Sequence, residues 1–451
     1  MSRTARPVPL VLAAVLAVLV ALVSPAGTEA APATSAAEAA AIPLPHDDPF
    51  YRYTGTKPLR KIERGTVLKT RQVTIGVPQS GQGALPATQL LYRTQDQQKK
   101  PSVTVTTVVN PTGPANAGLV AYLSFYDALG DKCSPSYTLR GGDPGDENAE
   151  LANTEAGLVA ALAAQGYAVT VPDFEGTDLH WVAGQESGWS TLDGVRATES
   201  YLGMPDSQKV ALFGYSGGSI AGEWASELAP AYAPELNIVG TAIGGVPVHL
   251  AHNLGYVNGS ETWSGVIPAV LVSLGRAFGL RMDKYESAYG KKVTAEVEDE
   301  CIGGFNGNYP GLRVQQLVKK KYKRFLRVPA FARVVNRLIM GSAKGHPRMP
   351  MYMGVGQHDG RGDDVMIAKD VEALAHQYCG QGVPVQFEVY DGADHTQGGL
   401  QFFPTAMTFL GQRFAGTPFT GNCADIGPGN SLAPAEGQEA ALTEYPNFNY
   451  R

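Results

Sequence analysis

The chain has 451 residues, 44% of them hydrophobic, and its 36 Lys and Arg against 42 Asp and Glu leave a formal net charge of -6. That length and apolar content suffice for a full α/β core plus a large insertion. The acidic balance argues against a nucleic-acid partner, and without zinc-type Cys/His spacing or a phosphate-binding glycine loop neither a metal nor a cofactor is expected.

Residues 1–30 begin with Arg3 and Arg6, run through an apolar stretch at 8–23 and leave through small residues, the pattern of a secretory signal peptide. The apolar stretch is short for the ~20 residues of a membrane span, so a secreted, extracellular protein is expected. Residues 31–48 read as an Ala-rich disordered leader. Short apolar runs at 102–110, 118–125, 167–171, 210–213, 238–243, 349–354 and 383–390 have the character of parallel strands buried on both faces. Helical patterns at 154–165, 191–202, 219–228 and 368–379 alternate with them. This alternation predicts a doubly wound, mostly parallel sheet whose functional loops gather at the carboxyl ends of its strands.

The run Lys209-Val210-Ala211-Leu212-Phe213 leads directly into Gly214-Tyr215-Ser216-Gly217-Gly218 and then into a helical pattern. Strand, Gly-flanked turn and helix together are the context of an α/β-hydrolase nucleophile elbow, with Ser216 pushed outward as nucleophile. Gly217 N–H, at a helix N-terminus, is positioned to stabilise an oxyanion. From about 247 to 346 the strand alternation lapses into helices, where a cap or lid is expected. This stretch holds Trp263, an apolar run at 266–274 and Lys319-Lys320-Lys321-Tyr322-Lys323-Arg324. The basic run reads as a solvated helix face, or more sharply as an amphipathic element facing an anionic interface.

After the elbow, the fold delivers an acid and then a histidine. Asp359, closing the strand at 349–354, is the expected acid, with Asp363 as the alternative in the same loop. His395 lies directly after the last strand and is the expected base; His376 sits within a helix and His358 beside the acid. The loop after the strand at 118–125 lacks a His-Gly-Gly run, so a group near Asp127 must supply the second oxyanion donor. An aspartate donates only when protonated, and the same residue reads equally well as a loop cap. Cys133, Cys301, Cys379 and Cys423 favour two disulfides in an exported chain, with three pairings open.

Tyr126-Asp127 with Cys133-Ser134-Pro135-Ser136-Tyr137, Val171-Pro172-Asp173-Phe174-Glu175-Gly176, the elbow, Pro347-Arg348-Met349-Pro350 leading to Asp359, and Asp394-His395 together resemble the secretory lipase (LIP) family typified by yeast lipase A. The resemblance spans about 50–423. It implies a lipase or esterase with an α/β-hydrolase fold, mostly parallel sheet and inserted helical cap. It also implies pairing of Cys133 with Cys301 and of Cys379 with Cys423, and an oxyanion role for Asp127 beside Gly217. One departure is that Asp359 is followed by Gly360-Arg361-Gly362-Asp363-Asp364 rather than by a nearby Val-Pro, which keeps both acids in play. The expected organisation is a hydrolase core at 49–246 and 347–425, a cap at 247–346 and a C-terminal tail at 426–451. The expected activity is that of a secreted serine carboxylic-ester hydrolase, a triacylglycerol lipase working through an acyl-enzyme on Ser216. Lipid or ester substrates, contact with lipid interfaces and a monomeric state go with it. The rival readings are an acyltransferase or exopeptidase on the same fold, or a non-catalytic lipid-binding protein.

Overall fold

The computed structural model describes residues 42–76, 84–114, 117–142 and 149–435; the expected signal peptide, most of the leader and the tail beyond 435 lie outside them. The described elements belong to one compact unit beginning at Pro43. Its centre is a nine-stranded sheet: β1 (Val67–Ile75), β2 (Leu85–Gln95), β3 (Pro101–Val109), β4 (Gly118–Leu123), β5 (Tyr167–Pro172), β6 (Lys209–Tyr215), β7 (Asn237–Gly244), β8 (Met351–Gln357) and β9 (Val385–Asp391). The strand order is β1-β2-β3-β5-β4-β6-β7-β8-β9. Pairs from β5 through β4 to β9 are parallel, and β1 to β3 join antiparallel. Every residue of β4 and β5 is buried, as expected of central strands covered by helices on both faces.

Two strands and one helix are absent from the sequence expectation. β1, VLKTRQVTI, lies at the sheet edge and alternates exposed with half-buried positions, so it lacks a hydrophobic run. β2 buries Gln89 completely, and its amide donates to Thr107 Oγ1 at 3.2 Å and to Ser136 O. Hydrogen bonding satisfies the polar group there, and hydropathy alone cannot register that. The helix His395–Phe414 contains Pro404, Gly398 and Gly399, which obscure its helical pattern.

The insertion between β7 and β8 carries helices Leu250–Tyr256, Val266–Phe278, Ala288–Val297 and Pro329–Asn336 and, among the described residues, no strand of the sheet. The helix Val266–Phe278 is apolar almost all round and nine of its residues are buried, the mark of a helix enclosed by its neighbours. The basic run does not lie on a helix face: it forms the short turn Lys320–Tyr322 ahead of a second turn, Phe325–Arg327, with Lys320, Lys321, Lys323 and Arg324 exposed. Cys133 is bonded to Cys301 and Cys379 to Cys423, so the first bridge joins the loop after β4 to the insertion.

Candidate active site

Ser216 sits in the turn between β6 and the helix Gly217–Tyr232 with φ 53° and ψ -121°, a conformation that costs roughly 1–3 kcal/mol and persists only where its surroundings enforce it. The surroundings are tight. A Cβ on Gly214 would lie 2.4 Å from Gly218 O, and one on Gly218 would lie 2.1 Å from Leu123 O. Both glycines are thus required by the closeness of β6, the following helix Gly217–Tyr232 and β4. Ser216 N also donates to Gly244 O at 2.9 Å, tying the elbow to the end of β7.

His395 arrives from β9 as the first residue of its helix, whose N-cap Asp394 accepts from Gln397 N at 2.8 Å. Tyr215, the residue before Ser216, donates its hydroxyl to His395 O at 2.7 Å. These contacts place His395 Nε2 2.8 Å from Ser216 Oγ and Nδ1 2.7 Å from Asp363 Oδ2. Asp363 is fully buried, and its other oxygen accepts from Val365 N at 3.1 Å and Met366 N at 2.6 Å. With Nδ1–H directed at the carboxylate, Nε2 is the nitrogen that accepts the serine proton. Burial works against a charged imidazole, but the charge and hydrogen bond of Asp363 outweigh it, and the His395 pKa is raised.

The acid beside His395 is therefore Asp363 and not Asp359. Asp359 instead accepts from Arg361 N at 2.8 Å and Gly362 N at 3.1 Å, with Arg361 Nη2 3.4 Å away. The loop folds back, with His358 N donating to Gly362 O at 2.7 Å. Asp359 thereby faces a cavity of about 270 Å³ lined by Tyr256, Arg313 and Arg361, while Asp363 turns inward. His358 is exposed and paired with Asp364 at 3.0 Å, and His376 is exposed on its helix.

Asp127 lies beside Gly217: a Cβ on that glycine would stand 2.3 Å from Asp127 Oδ1. Burial pushes the Asp127 carboxyl up to about 7, against the pull of a hydrogen bond from Trp181 and the charge of His395. Among the described residues no group of three His, Cys, Asp or Glu side chains is arranged to hold a metal ion. The geometry is thus a nucleophile activated by an imidazole, itself oriented by a carboxylate, next to a helix N-terminus and a protonatable acid.

A sequence model of the secretory lipase family matches residues 146–422. A secreted triacylglycerol lipase of Malassezia furfur is 31% identical over 404 residues, which cover 85% of this chain and 82% of the relative. The chain belongs to the secretory lipase family. It is a lipase or esterase on the α/β-hydrolase fold. The X-ray structure of Candida antarctica lipase A is similar at TM-score 0.78 and 27% identity, over 90% of this lipase and 95% of that chain. A protein of Mycobacterium tuberculosis described as a probable inactive lipase is 30% identical over 393 residues, 84% of each.

Two residues of the lipase site, Glu155 and Trp181, carry no sequence signal, and for Trp263 the sequence marks the cap but not the contact. Glu155, from the helix Ala149–Ala164, braces the loop that bears Asp127, accepting from Phe125 N at 2.9 Å, Ser124 Oγ at 2.8 Å and Tyr122 OH at 3.1 Å. Trp181 donates to Asp127. Trp263 of the insertion stands edge-on to the His395 ring, centroids 5.3 Å apart. Each acts through a contact between segments remote in the chain, and no local pattern announces it.

Proposed function

We propose that this lipase is secreted and cleaves acylglycerol esters, triacylglycerols included, through an acyl-enzyme on Ser216. The observation that carries the reading is the unbroken relay from Ser216 Oγ through His395 to the buried Asp363 carboxylate. As Oγ attacks the ester carbonyl, His395 Nε2 takes its proton and then passes it to the departing alkoxide as the acyl C–O bond breaks. Gly217 N–H and protonated Asp127 stabilise the oxyanion, each worth roughly 2.7–4 kcal/mol of barrier. Water activated by His395 releases the fatty acid. The core at 49–246 and 347–425 supplies this machinery, and the insertion at 247–346, whose Trp263 reaches His395, forms the cap over it. Two disulfides and a relative named as secreted support export.

The test is the rate on p-nitrophenyl esters from acetate to palmitate, with Ser216→Ala beside the wild type. Rates rising toward long chains and absent in the variant are expected; hydrolysis retained in the variant refutes the mechanism. The similarity to a probable inactive lipase makes binding without catalysis the second reading. Labelling of Ser216 by a serine-directed phosphonate distinguishes them, because a binding protein needs no activated serine.

A further inference from the structure

The segment between β5 and the helix Gly184–Leu202 holds two non-glycine residues at positive φ, Leu179 at 51° and Val182 at 57°. Such residues persist only where the surrounding structure over-determines them, and they gather at functional sites. Trp181 lies between them, buried, and touches both sides of the site. Its Nε1–H donates to Asp127 Oδ1. Its backbone oxygen accepts from Ser273 Oγ on the helix Val266–Phe278, and its ring packs on Phe305 with centroids 5.6 Å apart. Both of these partners belong to the insertion.

We propose that Trp181 is a positioning residue that sets the plane of the Asp127 carboxyl and the oxygen that carries its proton, and so makes the oxyanion site depend on the seating of the cap. The inference rests on the reading of Asp127 as an oxyanion donor. In a protonated acid the carbonyl oxygen is the better acceptor of an N–H bond, so the Trp181 bond to Oδ1 favours the proton on Oδ2 and leaves that oxygen as the O–H donor. The bond also favours the ionised form and opposes the burial that keeps Asp127 protonated. The other titratable groups facing Asp127 are His395, Glu155 and Glu175, and none of them donates a hydrogen bond to it from a fixed ring.

Trp181→Phe keeps the aromatic packing and removes the donor. On p-nitrophenyl butyrate, kcat should fall about tenfold or more, the scale of a misoriented oxyanion donor, with KM changed less than about twofold. The alkaline limb of kcat/KM should move to higher pH, because removing a donor to the carboxylate favours the acid. In an Asp127→Ala background the same substitution should cost nothing further. Ser273→Ala, at the cap end of these contacts, should lower kcat in the same direction by about threefold, with near-UV circular dichroism confirming the fold. An equal loss from Trp181→Phe in both backgrounds would mark a structural residue and overturn the proposal, as would an unchanged kcat and pH profile. Full activity of Asp127→Ala alone would instead refute the oxyanion reading, and the positioning role with it.

Discussion

Asp363 and Asp359 stand four residues apart in one loop, and exchanging either for asparagine separates their parts. Asp363→Asn presents the wrong partner to Nδ1 and should lower kcat by about 10⁴, as loss of the tautomer-fixing carboxylate does. Asp359→Asn keeps an oxygen to accept from the two backbone N–H groups in the turn, loses only the charge beside Arg361 and should leave kcat within a few-fold; steady-state rates on a short-chain ester decide it. The sequence narrowed the acid to this loop but could not orient it. A Cβ on Gly362 would collide with Met366 O at 1.8 Å, and it is this close backbone crossing that turns Asp363 toward His395. The elbow and His395 were legible because each is bounded by a strand whose apolar run ends there. The pH profile follows from two protons with opposite demands. His395 must be neutral to act as base, so activity falls below its raised pKa; Asp127 must be protonated to donate, so activity falls again as pH rises through about 7. Asp127→Asn keeps an N–H donor at every pH. The alkaline limb of kcat/KM should vanish and the acid limb remain.

At the level of elements, the central parallel strands were readable because they are buried on both faces, and β1 and β2 were not because hydrogen bonding rather than hydropathy seats them. The root of the cap shows the same limit. His249, just before the helix Leu250–Tyr256, stacks on His252 with ring centroids 3.7 Å apart, and its Nε2 donates to Ala433 O at 3.2 Å. His252 in turn meets Asp370 Oδ2 at 2.9 Å, and Asn430 Nδ2 donates to Asp370 Oδ1 at 2.7 Å. The segment after Cys423 is thereby fastened to the cap and to the helix Ala368–Gly380, which the sequence left open between a packed flap and a loose tail. Burial, and then the neighbouring His252, lower the His249 pKa to about 4. The unfolded chain therefore binds a proton between about pH 6.5 and 4 that the native state refuses. The His249 contribution is complete above that window and is lost on acidification through it, at about 3 kcal/mol. His249→Gln should flatten the decline of Tm between pH 7 and 4, measured by calorimetry.

For the whole molecule, a bridge closing the 168 residues between Cys133 and Cys301 restricts the unfolded chain more than one closing 44. In the chain-entropy account the longer loop contributes about 5 kcal/mol. The double substitution Cys133→Ser with Cys301→Ser should lower the urea midpoint clearly, and more than removal of Cys379–Cys423; equal effects would show that unfolded-state entropy does not govern the difference. The bridges also divide the polypeptide topologically. Ser216 lies on the ring closed at 133 and 301, His395 lies on the ring closed at 379 and 423, and Asp363 lies on the open thread between the rings. A protease that nicks either ring leaves one covalent molecule. A cut on the thread severs nucleophile from base, and the exposed Lys320, Lys321, Lys323 and Arg324 place tryptic sites there. On a non-reducing denaturing gel, one cut at that turn yields two fragments, so the thread between Cys301 and Cys379 is the covalent link between the two halves of the catalytic machinery.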